Sequence, residues 1–211
     1  MRVQHLKAGP GSVFASETQS CAKIQRVLVI VIGGPIASGK SALSRAVAHR
    51  FEEMLAVRGA VIDLDLVYEM LDAQRRPKDD PATWVLARRT AGRLTSTLLA
   101  DGLFVVVEGD VVSDRALREF EAELPGNVLV RIVMLEVAFK IALERATADS
   151  GRGISKDPAF LAAHYEQFRA DELDVRDPLR IDTANVTVSQ AAKAVVDWAQ
   201  QQGPPFGLMT Q

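Results

Sequence analysis

The 211 residues predict a doubly wound α/β domain. Two observations carry that prediction. Five short runs, Val27–Ile32, Ala60–Leu64, Leu103–Glu108, Val128–Leu135 and Leu179–Thr183, are mostly rich in Val and Ile and do not alternate with polar residues. Strands covered on both faces of a parallel sheet read this way. The stretches between the runs are long enough for crossover helices, and their apolar residues recur at helical spacing. There are no internal repeats and no low-complexity tracts.

After the first run, Leu43, Val47, Phe51 and Leu55 fall four apart and share one helix face. A short helix, Leu66–Leu71, follows the second run. Asp80-Pro81 is a helix start, with Asp as cap and Pro in the first turn. Trp84, Ala87, Ala91, Leu94 and Leu98 then lie to one side, and Gly102 closes that helix. Ser113 caps a shorter helix that ends before Pro125-Gly126. Val137–Ala148 reads as a helix with Phe139, Leu143 and Ala146 inward. Asp157-Pro158 opens another, and Val188, Ala191, Val195 and Trp198 line the last one. The loop Ala148–Pro158, with two Gly and two Ser around Arg152 and Lys156, has the composition of a mobile segment. Residues 1–22 show no periodicity and are expected to form a loosely ordered tail, residues 23–203 the domain, and residues 204–211 a second tail.

Composition narrows the function. Twenty-five Lys and Arg balance 27 Asp and Glu for a net charge of -2. That gives no whole-protein attraction to nucleic acid or to an anionic membrane. The run Val27–Ile32 is about a third of the roughly 20 residues a bilayer span requires. No secretion signal is visible. One cysteine, Cys21, cannot form an internal disulfide, which favours a reducing cytoplasm. His5, His49 and His164 are isolated, and no His, Cys and carboxylate spacing forms a structural metal site.

The most specific signal is Gly34-Pro35-Ile36-Ala37-Ser38-Gly39-Lys40-Ser41, which fits G-x-x-x-x-G-K-S/T at every fixed position. It follows the first buried strand and opens the first amphipathic helix. Gly34 and Gly39 let the backbone turn so that several N–H groups bear on one anion. The helix N-terminus adds its free donors and positive dipole end. Lys40 would place a full charge between β- and γ-phosphates, and the Ser41 hydroxyl would join the Mg²⁺ shell.

This loop resembles the Walker A loop of the P-loop NTPases. No N-K-x-D or L-S-G-G-Q occurs, and the chain is too short for a typical AAA+ module. What remains resembles the small P-loop kinases: nucleoside monophosphate kinases, shikimate and gluconate kinases, and the chloramphenicol phosphotransferase and zeta-toxin group. The resemblance spans roughly Val27–Ala199. It implies a three-layer fold with a five-stranded parallel sheet in the order 2-3-1-4-5, helices on both faces and a small lid, here about residues 145–158. It also implies ATP and Mg²⁺ as cofactors and a small-molecule acceptor.

The remaining site residues follow from the strand ends, where ligands meet such sheets. Asp63-Leu64-Asp65-Leu66-Val67-Tyr68 loosely resembles the D-G-D-x-L-H run of gluconate-type kinases, with Leu64 for Gly and Tyr68 for His. Asp65 is the first candidate for the carboxylate that orients or takes the acceptor proton, and Asp63 the second. Alternatively Asp65 only caps the following helix. Such a carboxylate suits a hydroxyl acceptor, whereas a phosphate acceptor needs arginine clamps. Arg75, Arg76, Arg88, Arg89 and Arg93 lie where related folds bind the acceptor, and Arg89 is the candidate contact. Glu108-Gly109-Asp110 resembles the end of a Walker B strand, with Glu108 facing Mg²⁺ or acceptor and Asp110 the acceptor. Arg145 and Arg152 resemble lid arginines that close over the nucleotide. Asp149 stands where a second Arg of R-x-x-x-R is expected, so Arg152 serves only if the loop folds back. Thr183, after the last strand, is expected near the nucleotide base.

Together these features predict transfer of the γ-phosphate of Mg-ATP to a hydroxyl of a small molecule. The alternatives are a nucleotide-dependent switch or regulatory binder, a phosphate acceptor as in nucleoside monophosphate kinases, and a toxin-like kinase of a nucleotide sugar. Acceptor identity and oligomeric state are not legible.

Overall fold

The computed structural model describes residues 27–201 except 73, 75–77, 79, 112 and 173–176. The tails expected at residues 1–22 and 204–211, with Cys21 and His5, lie outside the described residues, as do Arg75 and Arg76.

Five strands form one parallel sheet: β1 (Val27–Gly33), β2 (Gly59–Asp63), β3 (Phe104–Glu108), β4 (Val128–Glu136) and β5 (Leu179–Asp182), in the order β2-β3-β1-β4-β5. This is the order the resemblance implied. All of β1 and β3 is buried, which explains their unbroken apolar composition. Among the described residues there are seven helices, α1 (Lys40–Leu55), α2 (Leu64–Leu71), α3 (Pro81–Ala100), α4 (Asp114–Glu121), α5 (Phe139–Ala148), α6 (Pro158–Glu172) and α7 (Val188–Gln201). A 3-10 turn covers Ile154–Lys156.

Alternate residues of β1 feed two cores. Val27, Val29 and Val31 pack with Leu64, Val67 and Tyr68 of α2, Ala87, Ala91 and Leu99 of α3, Leu117 and Phe120 of α4, and Phe168 of α6. Leu28, Ile30 and Ile32 pack with Leu43, Val47 and Phe51 of α1 and Ala191, Val195 and Ala199 of α7. A third cluster joins Ala37 of the phosphate loop to Val137, Ala142, Ala146, Leu161 and Tyr165. Among the described residues no helix is long and apolar enough to cross a membrane.

The caps follow local chemistry. Asp80 accepts from the N–H groups of Ala82 and Thr83 at the head of α3, and Ser113 from Ala116 at the head of α4. Three expectations need correction. The cap of α2 is Asp63, not Asp65: its carboxylate accepts from the Asp65 N–H at 2.9 Å, and the helix begins at Leu64. Helix α5 starts at Phe139 rather than Val137, because β4 runs on to Glu136; within it Ala142 and Ala146 are buried while Phe139 and Leu143 are half-buried. In α3 the buried stripe is Ala87, Ala91, Gly92, Thr95 and Leu99, and Leu94 is exposed. The reason is a close approach: a Cβ on Gly92 would stand 2.5 Å from the Phe120 carbonyl oxygen of α4. Small residues face inward so that the two backbones can meet.

Gly92→Ala is therefore expected to destabilise the domain by about 1–3 kcal/mol through overpacking. Gly126→Ala, where an added Cβ meets nothing within 4 Å, is expected to leave stability nearly unchanged. Urea unfolding of the two variants side by side checks this.

Candidate nucleotide and acceptor site

The C-terminal ends of β1, β2 and β3 converge, because β1 sends its chain across β3 to β2 and returns it to β3. This crossover is where open α/β sheets bind ligands. From β1 the chain enters the phosphate loop. Gly34 has φ 151°, Ala37 φ 62° and Gly39 φ 98°. A Cβ on Gly34 would sit 2.8 Å from Ser38 Oγ, whereas one on Gly39 meets nothing, so Gly39 is required for its φ alone. Ala37 holds a left-handed conformation without that freedom, a local strain kept in place by burial of its methyl group in the third core. Gly39 is the N-cap of α1 and offers no side-chain cap, which leaves the first-turn donors of α1 without one.

Lys40 folds back over this loop. Its Nζ donates to the carbonyls of Gly34 at 2.7 Å and Pro35 at 3.0 Å. Burial lowers its pKa below the ordinary lysine value, and the Arg152 charge adds to this, while Asp65, Glu108 and Asp63 oppose it. Beside it, Glu108 is buried at the end of β3 and accepts from the Ser41 hydroxyl. Burial raises the Glu108 pKa above the usual carboxylate value and the Asp63 charge raises it further, against the Ser41 hydrogen bond and the charges of Lys40 and Arg45. Asp63 lies in register with Glu108 on the neighbouring strand.

A cavity of about 380 Å³ opens next to the loop. The loop supplies Gly34, Ile36 and Lys40. Asp65 comes from α2, Lys78 from the α2–α3 connection, Trp84 from α3, Gly109 and Asp110 from just after β3, and Phe160, His164, Gln167 and Phe168 from α6. Asp65, in the first turn of α2, pairs with Lys78 at 3.0 Å, and Lys78 also reaches Glu69 at 2.9 Å. Burial of Lys78 works against its charge, but these two carboxylates outweigh it and raise its pKa. Asp110 is held by Arg88, whose Nε also donates to the Asp110 carbonyl at 2.9 Å and whose Nη1 reaches Glu119 at 2.8 Å. The Arg88 guanidinium lies 5.7 Å from the Trp84 ring centroid. Gly109, φ 126°, lets the chain pass Leu64, whose Cβ an added side chain would meet at 2.8 Å.

Two of the expected residues sit elsewhere. Arg89 turns to Glu123 at 2.6 Å, together with Arg93 at 3.0 Å, and does not line the cavity. Their guanidinium groups hold the Glu123 carboxyl below its ordinary pKa. Its neighbour Arg88, one helix turn from Trp84, reaches the cavity only through Asp110, which it binds. Arg145 is committed to the end of β5: it donates to the Thr183 hydroxyl at 3.0 Å and carbonyl at 2.7 Å, and the Thr183 hydroxyl donates to the Ser38 carbonyl at 2.9 Å. Thr183 thus ties β5 to the phosphate loop. The Arg152 N–H donates to the Asp149 carbonyl and its Nε to the Asp149 carboxylate at 3.1 Å, so Asp149 closes this turn, and the Arg152 charge acts on Lys40.

Sequence reading missed Lys78, Trp84 and the α6 wall. Lys78 lies in a connection without periodicity. His164 and Phe168 stand four apart on α6, a spacing that also describes an ordinary core stripe.

The residues present suit a polyphosphate and a divalent cation. Backbone donors, a desolvated ammonium and a helix N-terminus converge on one loop, and Ser38 Oγ is buried there with no hydrogen-bond partner. Ser41 and Glu108 supply hard oxygens. Among the described residues no group of three or more His, Cys or carboxylate side chains could hold a metal.

No family model and no curated protein sequence matches the chain. Solved structures do. A sugar kinase from Janibacter sp. HTCC2649 is similar at TM-score 0.62 and 13% identity, over 82% of this chain and 95% of that one. APS kinase from Mycobacterium tuberculosis, in complex with AMPPNP and APS, is similar at 0.58 and 17%, over 83% and 99%. A gluconokinase from Sinorhizobium meliloti 1021 is similar at 0.55 and 18%, over 85% and 99%. With the sheet order and the phosphate loop described above, these likenesses establish that the chain has the fold of the small P-loop kinases.

Proposed function

We propose that the protein is an ATP-dependent phosphotransferase that moves the γ-phosphoryl group of Mg-ATP to a hydroxyl of a small molecule. The observation that carries this is shared lining. Gly34, Ile36 and Lys40 of the phosphate loop are also walls of the cavity that holds Asp65 and Asp110. A phosphoryl donor on the loop and an acceptor in the cavity would meet at Lys40. ATP is favoured because the similar APS kinase was solved with AMPPNP.

Residues Gly34–Ser41 would hold the polyphosphate, with Thr183 steadying the loop from β5. Ser41 and Glu108 would hold Mg²⁺, which when bound neutralises phosphate charge. Lys40 offers its ammonium to the charge that spreads over the transferring oxygens. Arg152, from the proposed lid at residues 145–158, would add a second cation and help exclude water, a competing acceptor. Arg145 acts one step removed, by orienting Thr183.

Asp65 is the better candidate for the acceptor carboxylate. Asp63 spends an oxygen on capping α2, while Asp65 borders the cavity with Lys78 as its counter-ion. Lys78 pairs with the Asp65 carboxylate at 3.0 Å and fixes its direction, which suits a group that orients a hydroxyl and accepts its proton late. A hydroxyl acceptor is also favoured over a phosphate. The arginines described in this region, Arg88, Arg89 and Arg93, are already matched by carboxylates.

Two outcomes test the reading. Lys40→Ala is expected to abolish measurable Mg-ATP affinity in isothermal titration, and unchanged affinity would overturn the role of the loop. Asp65→Asn is expected to keep nucleotide affinity yet reduce transfer by about 10²–10⁴-fold. The assay is acceptor-stimulated ADP release across sugars, shikimate-like acids, nucleosides and antibiotics. A tight-binding protein that no hydroxyl compound stimulates would favour a nucleotide switch instead.

A further inference from the structure

Helix α6 grips the phosphate loop at one residue. The Ile36 N–H donates to His164 Nε2 at 3.2 Å, and the Ile36 carbonyl accepts from the Tyr165 hydroxyl at 3.3 Å. Both backbone groups of Ile36 are thus satisfied by consecutive side chains more than a hundred positions later in the chain. Tyr165 is buried in the third core, with its ring edge-on to Phe139 at 5.6 Å. His164 is half-buried and forms part of the acceptor cavity with Phe160, Gln167 and Phe168.

We infer that His164 and Tyr165 are positioning residues that hold Ile36, and through it the phosphate loop, in the shape that binds nucleotide, and that a proton on His164 releases the hold. This rests on the reading of Gly34–Ser41 as a nucleotide loop. Ile36 lies between Gly34 and Ala37, both at positive φ, so the loop has little intrinsic preference for its shape. Two hydrogen bonds from a packed helix supply the missing constraint. An Nε2 that accepts from an N–H must be unprotonated. Protonation would set two donors face to face and leave a half-buried amide without a partner.

The surroundings favour the neutral ring. Burial lowers the His164 pKa, and the Lys40 charge lowers it further; Asp110 and Asp65 pull the other way without reversing it. Lys78 lines the same cavity. The sign follows directly. The folded pKa lies below the unfolded one, about 6.5, so the unfolded chain takes the proton first. The contribution of His164 to stability is complete above that value and is lost as pH falls through the folded pKa. Grip on the loop should be lost in the same direction.

The test is equilibrium affinity of the full-length protein for AMPPNP with Mg²⁺ between pH 8 and pH 5.5, in wild type, His164→Gln, His164→Leu and Tyr165→Phe. Wild-type affinity is expected to weaken by about ten-fold toward acid pH. His164→Gln keeps an acceptor that cannot take a proton, so the ratio of its dissociation constant to that of wild type should change with pH. Comparing the two cancels titration of the nucleotide itself. His164→Leu should bind about ten-fold more weakly at pH 8, and Tyr165→Phe should weaken binding with an unaltered pH profile. Parallel wild-type and His164→Gln curves, or a folded His164→Leu that binds as tightly as wild type, would overturn the inference alone. Tighter wild-type binding in acid would also overturn it, since the imidazolium would then be serving as a phosphate ligand. A wild type that binds no nucleotide at any pH would overturn this inference and the loop assignment together. Should His164→Leu fail to fold, the His164→Gln and Tyr165→Phe curves still decide.

Discussion

The site is built around the placement of one cation, Lys40. Its ammonium is desolvated at the sheet edge and satisfied by two carbonyls of its own loop. A charge taken from water costs several kcal/mol unless other groups compensate it. Three carboxylates do so here, Asp63, Asp65 and Glu108. They come from the ends of β2 and β3 and the start of α2, which adjoin the loop only because the sheet runs β2-β3-β1. The strand order is therefore an electrostatic requirement as well as a topological one. Without β3 between β1 and β2, Lys40 would lose Glu108, and the loop would hold an uncompensated charge.

The carboxylates are themselves unbalanced. Asp63 and Glu108 stand in register on adjacent strands, and Glu108 is buried at the strand end. Its raised pKa reflects burial first and the Asp63 charge second. A divalent cation at Ser41 would relieve both, and an anion at the loop would relieve Lys40. The two ligands that the loop chemistry calls for thus correct opposite imbalances of one small volume. This is preorganisation: the groups are held in costly positions by the fold before any ligand arrives.

Much of this arrangement was legible in the sequence. Continuous Val and Ile runs marked the inner strands because β1 and β3 are buried throughout, and the glycine-lysine spacing marked the loop because the backbone geometry admits few alternatives. Carboxylates at strand ends were legible from the same topology. The misplacements on α3 share a cause, which is that helix periodicity reports a face but not its rotation. Leu94 was placed inward because it is apolar, yet the close approach at Gly92 turns Thr95 and Leu99 inward instead. The same ambiguity bears on Arg89, which the helix turns to Glu123 while Arg88 binds Asp110 of the cavity wall. The α6 wall was missed for a different reason. His164 and Tyr165 act on a backbone residue, Ile36, and a backbone partner leaves no complementary side-chain pattern to read.

The acceptor cavity shows how charge is kept from dominating such a site. Asp110 is bound by Arg88, Arg88 is stacked on Trp84 and tied to Glu119, and Lys78 is divided between Asp65 and Glu69. Each formal charge at the cavity edge is matched within the protein. The surfaces left to meet a molecule are then aromatic: Trp84, Phe160 and Phe168. A strongly anionic acceptor would have to break an existing ion pair to gain a new one, with little net return. An uncharged compound with an apolar ring face would bury that face against the aromatics and lose nothing in exchange. On the proposed function, selection by this cavity would rest on shape and apolar contact, with direction supplied by Asp65, which lines the cavity from the first turn of α2.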